Sequence, residues 1–138
     1  MSGTELLDAG AWQAVLDDHA PLFTELATGT AAMLLGEDAW RSGCGSALVW
    51  QRDAAGMRAA AATWQGVEAC DAELVFVAMR DALPRLAAVP ATERLALLRE
   101  QVRLGDMLLF VTRNCADLDA GWDDFLESLG HAFMGACR

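Results

Sequence analysis

The sequence predicts an all-α protein: a long antiparallel helical hairpin with shorter N-terminal helices packed on it. Three observations carry that expectation. The chain is rich in Ala, Leu, Glu and Arg, which are good helix formers, and its only prolines are Pro21, Pro84 and Pro90. No stretch sustains the period-two alternation of β-branched residues that marks a half-buried strand. From Leu97 to Ala136, spacings of four and three alternate through Leu97, Gln101, Leu104, Leu108, Val111, Cys115, Leu118, Trp122, Phe125, Leu129, Ala132 and Ala136. Only Gln101 in that series is polar, so it reads as the seam of a coiled-coil-like helix pair.

Taken in order, the first helix is expected over about Thr4–Thr28, with Trp12, Val15, His19, Leu22 and Leu26 on one face and a kink at Pro21. A second helix starts near Thr30 and carries Met33, Leu34, Leu35 and Trp40, with Glu37 and Arg41 at i,i+4. Ser42-Gly43-Cys44-Gly45-Ser46 reads as a loop. The third helix, about Ala47–Ala88, has a seam of small residues at Gly56, Ala59, Thr63, Gly66 and Cys70, which would let another helix approach closely. Its apolar side chains on most sides suggest a central or covered position. After the connector at Val89-Pro90, the fourth helix runs from Ala91 to near Gly135, antiparallel to the third because the turn between them is short.

The chain has 138 residues, which fits one helical domain over 1–138 with a substantial core. The net charge is −10, and every basic residue is Arg. Phosphate backbones and anionic membrane surfaces would repel such a chain, so no nucleic-acid partner is expected. The start, Met1 to Asp8, has neither a basic region nor an apolar run, and Leu74–Met79 is far too short to span a bilayer. A cytoplasmic protein without a transmembrane segment is expected, with Cys44, Cys70, Cys115 and Cys137 as free thiols. Residues 80–113 carry more Arg than acids and residues 114–138 the reverse, which fits local ion pairs or head-to-tail pairing of subunits.

No catalytic residue and no cofactor are expected. A metal reading is available from Asp124, Glu127 and His131, which share one helical face, with His19 as a further source. The motif is Glu-x-x-x-His and occurs once, so a solvated acidic face with a helix-terminal histidine accounts for it more simply. His19, on an apolar stripe, reads as a partly buried, hydrogen-bonded histidine. Gly43-x-Gly45 follows no predicted strand and is followed by no Lys, so it is not a phosphate loop. Trp64 and Trp122 lie on helical seams and are expected in the core, whereas Trp40 and Trp50 flank the glycine loop and are candidate interface residues.

The stretch Pro90-Ala91-Thr92-Glu93-Arg94-Leu95-Ala96-Leu97-Leu98-Arg99-Glu100-Gln101 resembles the start of a helix in phasins, the proteins that coat polyhydroxyalkanoate granules. The similarity of pattern covers about residues 47–135. The chain departs from that family in lacking Lys, in its Trp and Cys content and in its glycine-punctuated helices. The resemblance implies a surface role with no catalytic site.

The favoured expectation is a non-catalytic helical binding protein that presents apolar helix faces, coating a storage granule or another apolar surface. Leu104, Leu108, Val111, Leu118, Trp122, Phe125 and Leu129 would supply the hairpin packing or that surface. The alternative is an adaptor, secretion chaperone or assembly subunit of a larger complex. It would bind a protein partner or a second copy through Trp40, Trp50 and the small-residue seam of Gly56, Ala59, Thr63 and Gly66. A third reading is a bundle that binds a small ligand or metal.

Overall fold

A computed structural model describes residues 8–112 together with Trp122 and Phe125, and its centre is a five-stranded mixed sheet, not a helix pair. The strands are β1 (Ala31–Gly36), β2 (Gly45–Arg52), β3 (Met57–Trp64), β4 (Leu74–Ala78) and β5 (Met107–Val111). Their order across the sheet is β3-β2-β1-β4-β5. β1 runs parallel to β4, with Leu34 opposite Phe76, and every other neighbouring pair is antiparallel. The helices are α1 (Ala9–Asp18), α2 (Glu37–Ser42), α3 (Ala82–Ala87) and α4 (Ala91–Leu104).

The all-α expectation, the helical bundle and the coiled-coil-like hairpin are therefore overturned. The segment expected as one helix over Ala47–Ala88 holds β2, β3, β4 and α3. Leu74–Ala78 is buried at every position. A short apolar run with β-branched residues is what a strand covered on both faces requires, and periodicity alone does not distinguish it from a buried helix turn. The run Met33–Leu35, expected in a second helix, lies in β1, which has no β-branched residue but is buried from Ala31 to Leu35 between its two neighbouring strands. The Ala-rich stretch became β3 because helix propensity is a weak prior that sheet pairing overrides.

The expected fourth helix does begin at Ala91, with Pro90 in extended conformation as its N-cap. It stops at Leu104, where Gly105 takes a left-handed conformation and its N–H meets the carbonyls of Gln101 and Val102. The four-three seam does not survive that stop. Leu108 and Val111 lie an odd number of residues apart in β5, so they face opposite sides of the sheet. Cys115, Leu118 and Leu129 lie outside the described residues.

One face of the sheet is closed by α1 and α4. Asp8 starts α1 by accepting the Gly10 N–H, and the helix buries Trp12, Val15 and Leu16. α4 buries Leu95, Leu98 and Gln101. Between them and the strands lies a core of Leu34, Leu48, Trp50, Leu74 and Phe76, to which Trp122 and Phe125 belong. Ring centroids are 5.4 Å apart for Trp12–Trp50 and 6.1 Å for Phe76–Phe125. Gln101, the polar exception of the sequence pattern, is fully buried and donates to the Ala82 carbonyl at 3.0 Å, tying α4 to the start of α3.

The second face carries Met33, Leu35, Ala47, Trp64, Val75 and Val77. Its cover among the described residues is thinner: the six-residue α2 and the segment that returns from β3 to β4, with Cys70 and Ala72 packed on the strands. Trp40 of α2 lies over this face, stacked on Phe110 at 4.7 Å and on Trp64 at 5.5 Å. No helix among the described residues is long and apolar enough to cross a membrane.

Candidate functional site

β3 is the outermost strand on its side of the sheet, paired with β2 from Gly45↔Trp64 to Arg52↔Met57. In an antiparallel ladder, alternate residues turn both backbone groups toward the partner strand or both away from it. Gln13 of α1 shows which residues of β3 turn away. Its side-chain amide accepts from the Ala59 N–H at 2.8 Å and donates to the Met57 carbonyl at 2.9 Å. The carboxamide thus occupies the place that a neighbouring strand's peptide group would take. It also donates to Asp17 at 3.0 Å, which fixes its orientation.

By the same alternation Ala61 and Thr63 turn outward. Their N–H groups, and the carbonyls of Ala59, Ala61 and Thr63, have no hydrogen-bond partner among the described residues. Ala60, Ala61 and Thr63 are exposed. Their side chains are methyls and one hydroxyl group, so nothing bulky guards the backbone. Arg58, the charged residue of the strand, sits at the end that Gln13 covers and pairs with Asp53 at 3.1 Å.

Beside this flank, on the thinly covered face, lies a cleft of about 250 Å³ lined by Met33, Val49, Ala62, Trp64, Cys70 and Ala72, with Gln51, Thr63 and Gln65 also lining it. The Cys70 thiol lies 3.7 Å from the Met33 sulfur. Val67, nearly half exposed, stands on the short 3₁₀ turn (Val67–Ala69) that follows β3. A second cleft, of about 350 Å³, lies between α1 and the β2–β3 turn. Its Arg52 and Arg58 are committed to the Leu26 carbonyl and Asp53.

That turn is built by Asp53. Its carboxylate accepts the N–H groups of Ala55 and Gly56 at 2.8 and 3.0 Å and the Arg58 guanidinium at 3.1 Å. The Ala55 N–H is the largest cause holding the Asp53 carboxyl below its ordinary value, with Arg58 and the Gly56 N–H acting in the same direction.

The structure scatters the residues expected at an interface. Trp40 lies in α2, half-buried under its stacking partners. Trp50 is in the main core and faces Trp12, Phe76 and Phe125 rather than solvent. Gly56 and Gly66 do not form a helix seam: both have positive φ, +145° and +98°, at the two ends of β3, where chain reversal needs a residue without Cβ strain. Ala59 and Thr63 do lie together, on the outward flank of β3. Leu104 is 62% exposed at the end of α4, Leu108 and Val111 are half-buried in β5, and Trp122 and Phe125 are fully buried. The Trp122 indole N–H donates to Glu73 at 3.0 Å.

His19 caps α1, half-buried, with Nδ1 3.2 Å from the Val15 carbonyl. Among the described residues no three His, Cys, Asp or Glu side chains converge as a metal site. Asp124, Glu127, His131 and Cys137 lie outside the described residues. Cys44 is exposed at the turn between α2 and β2. Gln13 was missed by the sequence reading: its signal, a lone amide beside Trp12, points to no chemistry until the β3 edge lies against it.

Comparison with known proteins returned no matching family model, no matching curated protein and no matching solved structure.

Proposed function

We propose that the protein is a non-catalytic adaptor that holds one protein partner, acting as a chaperone or assembly subunit, and that the partner docks on the β3 flank and the cleft beside it. The observation that carries this reading is an outward strand whose second half is lined by small, exposed side chains and adjoined by an apolar cleft. Native sheets usually guard such an edge with Lys, Pro, a bulge or a covering element. Here one half has Gln13 and the other half has no guard among the described residues. The net charge of −10 favours a partner surface that is neutral or basic.

The test is a photo-crosslinking residue placed at Thr63, on the flank, and separately at Glu100, exposed on α4. In the cells that make the protein, Thr63 should capture one protein in a defined ratio, and Glu100 should not. The same products at both positions, or none at Thr63, would overturn the reading. Sedimentation with polyhydroxyalkanoate or oil droplets separates it from granule coating. An adaptor stays in solution at low and high salt, whereas a coat pellets at both, because apolar burial is not screened.

A further inference from the structure

We infer that the partner contributes an extended segment that adds to the sheet as a sixth strand along Ala59–Thr63, with Gln13 setting where that strand ends. The inference rests on the adaptor reading and specifies how its site works. Five outward backbone groups are in sequence along the flank: the carbonyls of Ala59, Ala61 and Thr63 and the N–H groups of Ala61 and Thr63. Groups at that spacing are matched together only by another extended backbone, and strand addition is the recognition mode that uses them. Strand side chains project above and below the sheet, and those of Ala60, Ala61, Ala62 and Thr63 are too short to fold over the edge and shield its backbone.

Gln13 gives the site its boundary. Its amide already fills the strand position beside Met57 and Ala59, so an incoming strand cannot extend past Ala59 without displacing it. The hydrogen bond from Gln13 to Asp17 holds that stop in place. At the other end the strand direction is broken by Gly66 with φ +98°. The accessible length is therefore about five residues.

Side-chain chemistry follows from the pleat. Alternate residues of the added strand fall on the face shared by Val49, Ala62 and Trp64, over the cleft, and these should be aliphatic or small. The intervening residues lie on the side of Ala61 and Thr63, which is open to solvent, and should be polar or basic. Asp17 stands beside the Gln13 stop, and Glu68 on the turn after β3. A second copy of this chain is the disfavoured occupant, because it would bring another −10 to the same edge.

The probe is a capped seven-residue peptide of alternating Val and Arg, compared with the same peptide N-methylated at its three central amides. The methylated form keeps the charge and the side chains but cannot form the ladder. At saturation with the unmodified peptide, amide hydrogen exchange at Ala61 and Thr63 should slow at least tenfold. The Ala60 and Ala62 amides, which already face β2, should change little. The methylated peptide should bind at least tenfold more weakly. Ala61→Pro removes an outward N–H that the sheet does not use, so it should keep the melting temperature near that of the parent and lose peptide binding. If that variant fails to fold, the comparison of the two peptides on the parent protein still decides.

Unchanged exchange at Ala61 and Thr63 under saturating peptide, equal binding of the two peptides, or no binding at all would overturn strand addition. So would protection of those amides in the free protein that rises with its concentration, which would identify a second copy as the occupant. The adaptor reading fails separately, when crosslinking at Thr63 captures no partner. A captured partner that leaves Ala61 and Thr63 exchanging freely would keep the adaptor and remove the added strand.

Discussion

The two faces of the sheet are made from the same strands and are closed by different means. One is sealed by α1 and α4, two amphipathic helices, over a cluster of rings with Phe76, Trp122 and Phe125 fully buried. Among the described residues the other is roofed by Trp40, stacked on Trp64 and Phe110 and carried by a helix of six residues, and by the segment that returns from β3 to β4. A long helix buries a whole stripe of apolar area, whereas a short one delivers one large side chain, and among the described residues no element covers the outer half of β3. The difference places stability on the helix-covered face and accessibility at β3. Variants on the two faces should therefore separate folding from binding.

The largest effect is expected at Phe76. Phe76→Ala should lower unfolding free energy by about 3–5 kcal/mol, because the side chain has no exposed surface and its neighbours cannot all collapse into the gap. Denaturant unfolding measures it, and a loss below about 1 kcal/mol would mean that the helix-covered face is not the main core. Trp40→Ala should cost less, about 2 kcal/mol, since the ring is half-buried and its two stacking contacts add about 0.5–1.5 kcal/mol each beyond area burial. A cost equal to that of Phe76→Ala would abolish the contrast between the faces.

Gln13→Ala should cost about 1 kcal/mol, the net worth of a typical hydrogen bond, because the freed groups on Met57 and Ala59 can turn to water. Its sharper signature is at the edge. The open flank lengthens by those two backbone groups, and faster exchange of the Ala59 amide should report it.

The smallest effect is expected at Asp53 and is visible as pH dependence. Because the folded carboxyl titrates below its ordinary value of 3.8, its contribution is fully present above that value. It is lost as pH falls through the lower, folded pKa. Asp53→Asn should flatten the acid limb of the stability curve, lying slightly below the parent at neutral pH, where the carboxylate's contribution is present, and converging with it in acid. An unchanged acid limb would show that the β2–β3 turn does not sense the charge.

Local signals located some boundaries well. Pro90 before Ala91 marked a helix start, because proline fits an extended N-cap and the first turn needs no donor from it. The Gly43–Cys44 turn was visible as a glycine cluster. Trp12 and Val15 were placed on the buried face of a helix, but that helix ends at Asp18, so Leu26 is buried beyond it and His19 and Leu22 are only half-buried. Of the site, Ala59 and Thr63 were singled out, but as a helical seam. Gln13 carried no signal.

The sequence by itself determined an acidic chain with enough apolar side chains for one core, where α4 begins, and which positions near the N-terminus turn inward. These are properties of single residues and of short-range spacing. Only the tertiary structure decided that Ala59–Ala62 is a strand, that Leu108 and Val111 part to opposite faces, and that Gln13 meets the edge of β3. Each of those depends on pairing between residues distant in the chain: Ala61 with Leu48, Leu108 with Val77, Gln13 with Ala59. A run of four alanines is compatible with either backbone, and the neighbouring strand supplies the hydrogen bonds that select one of them.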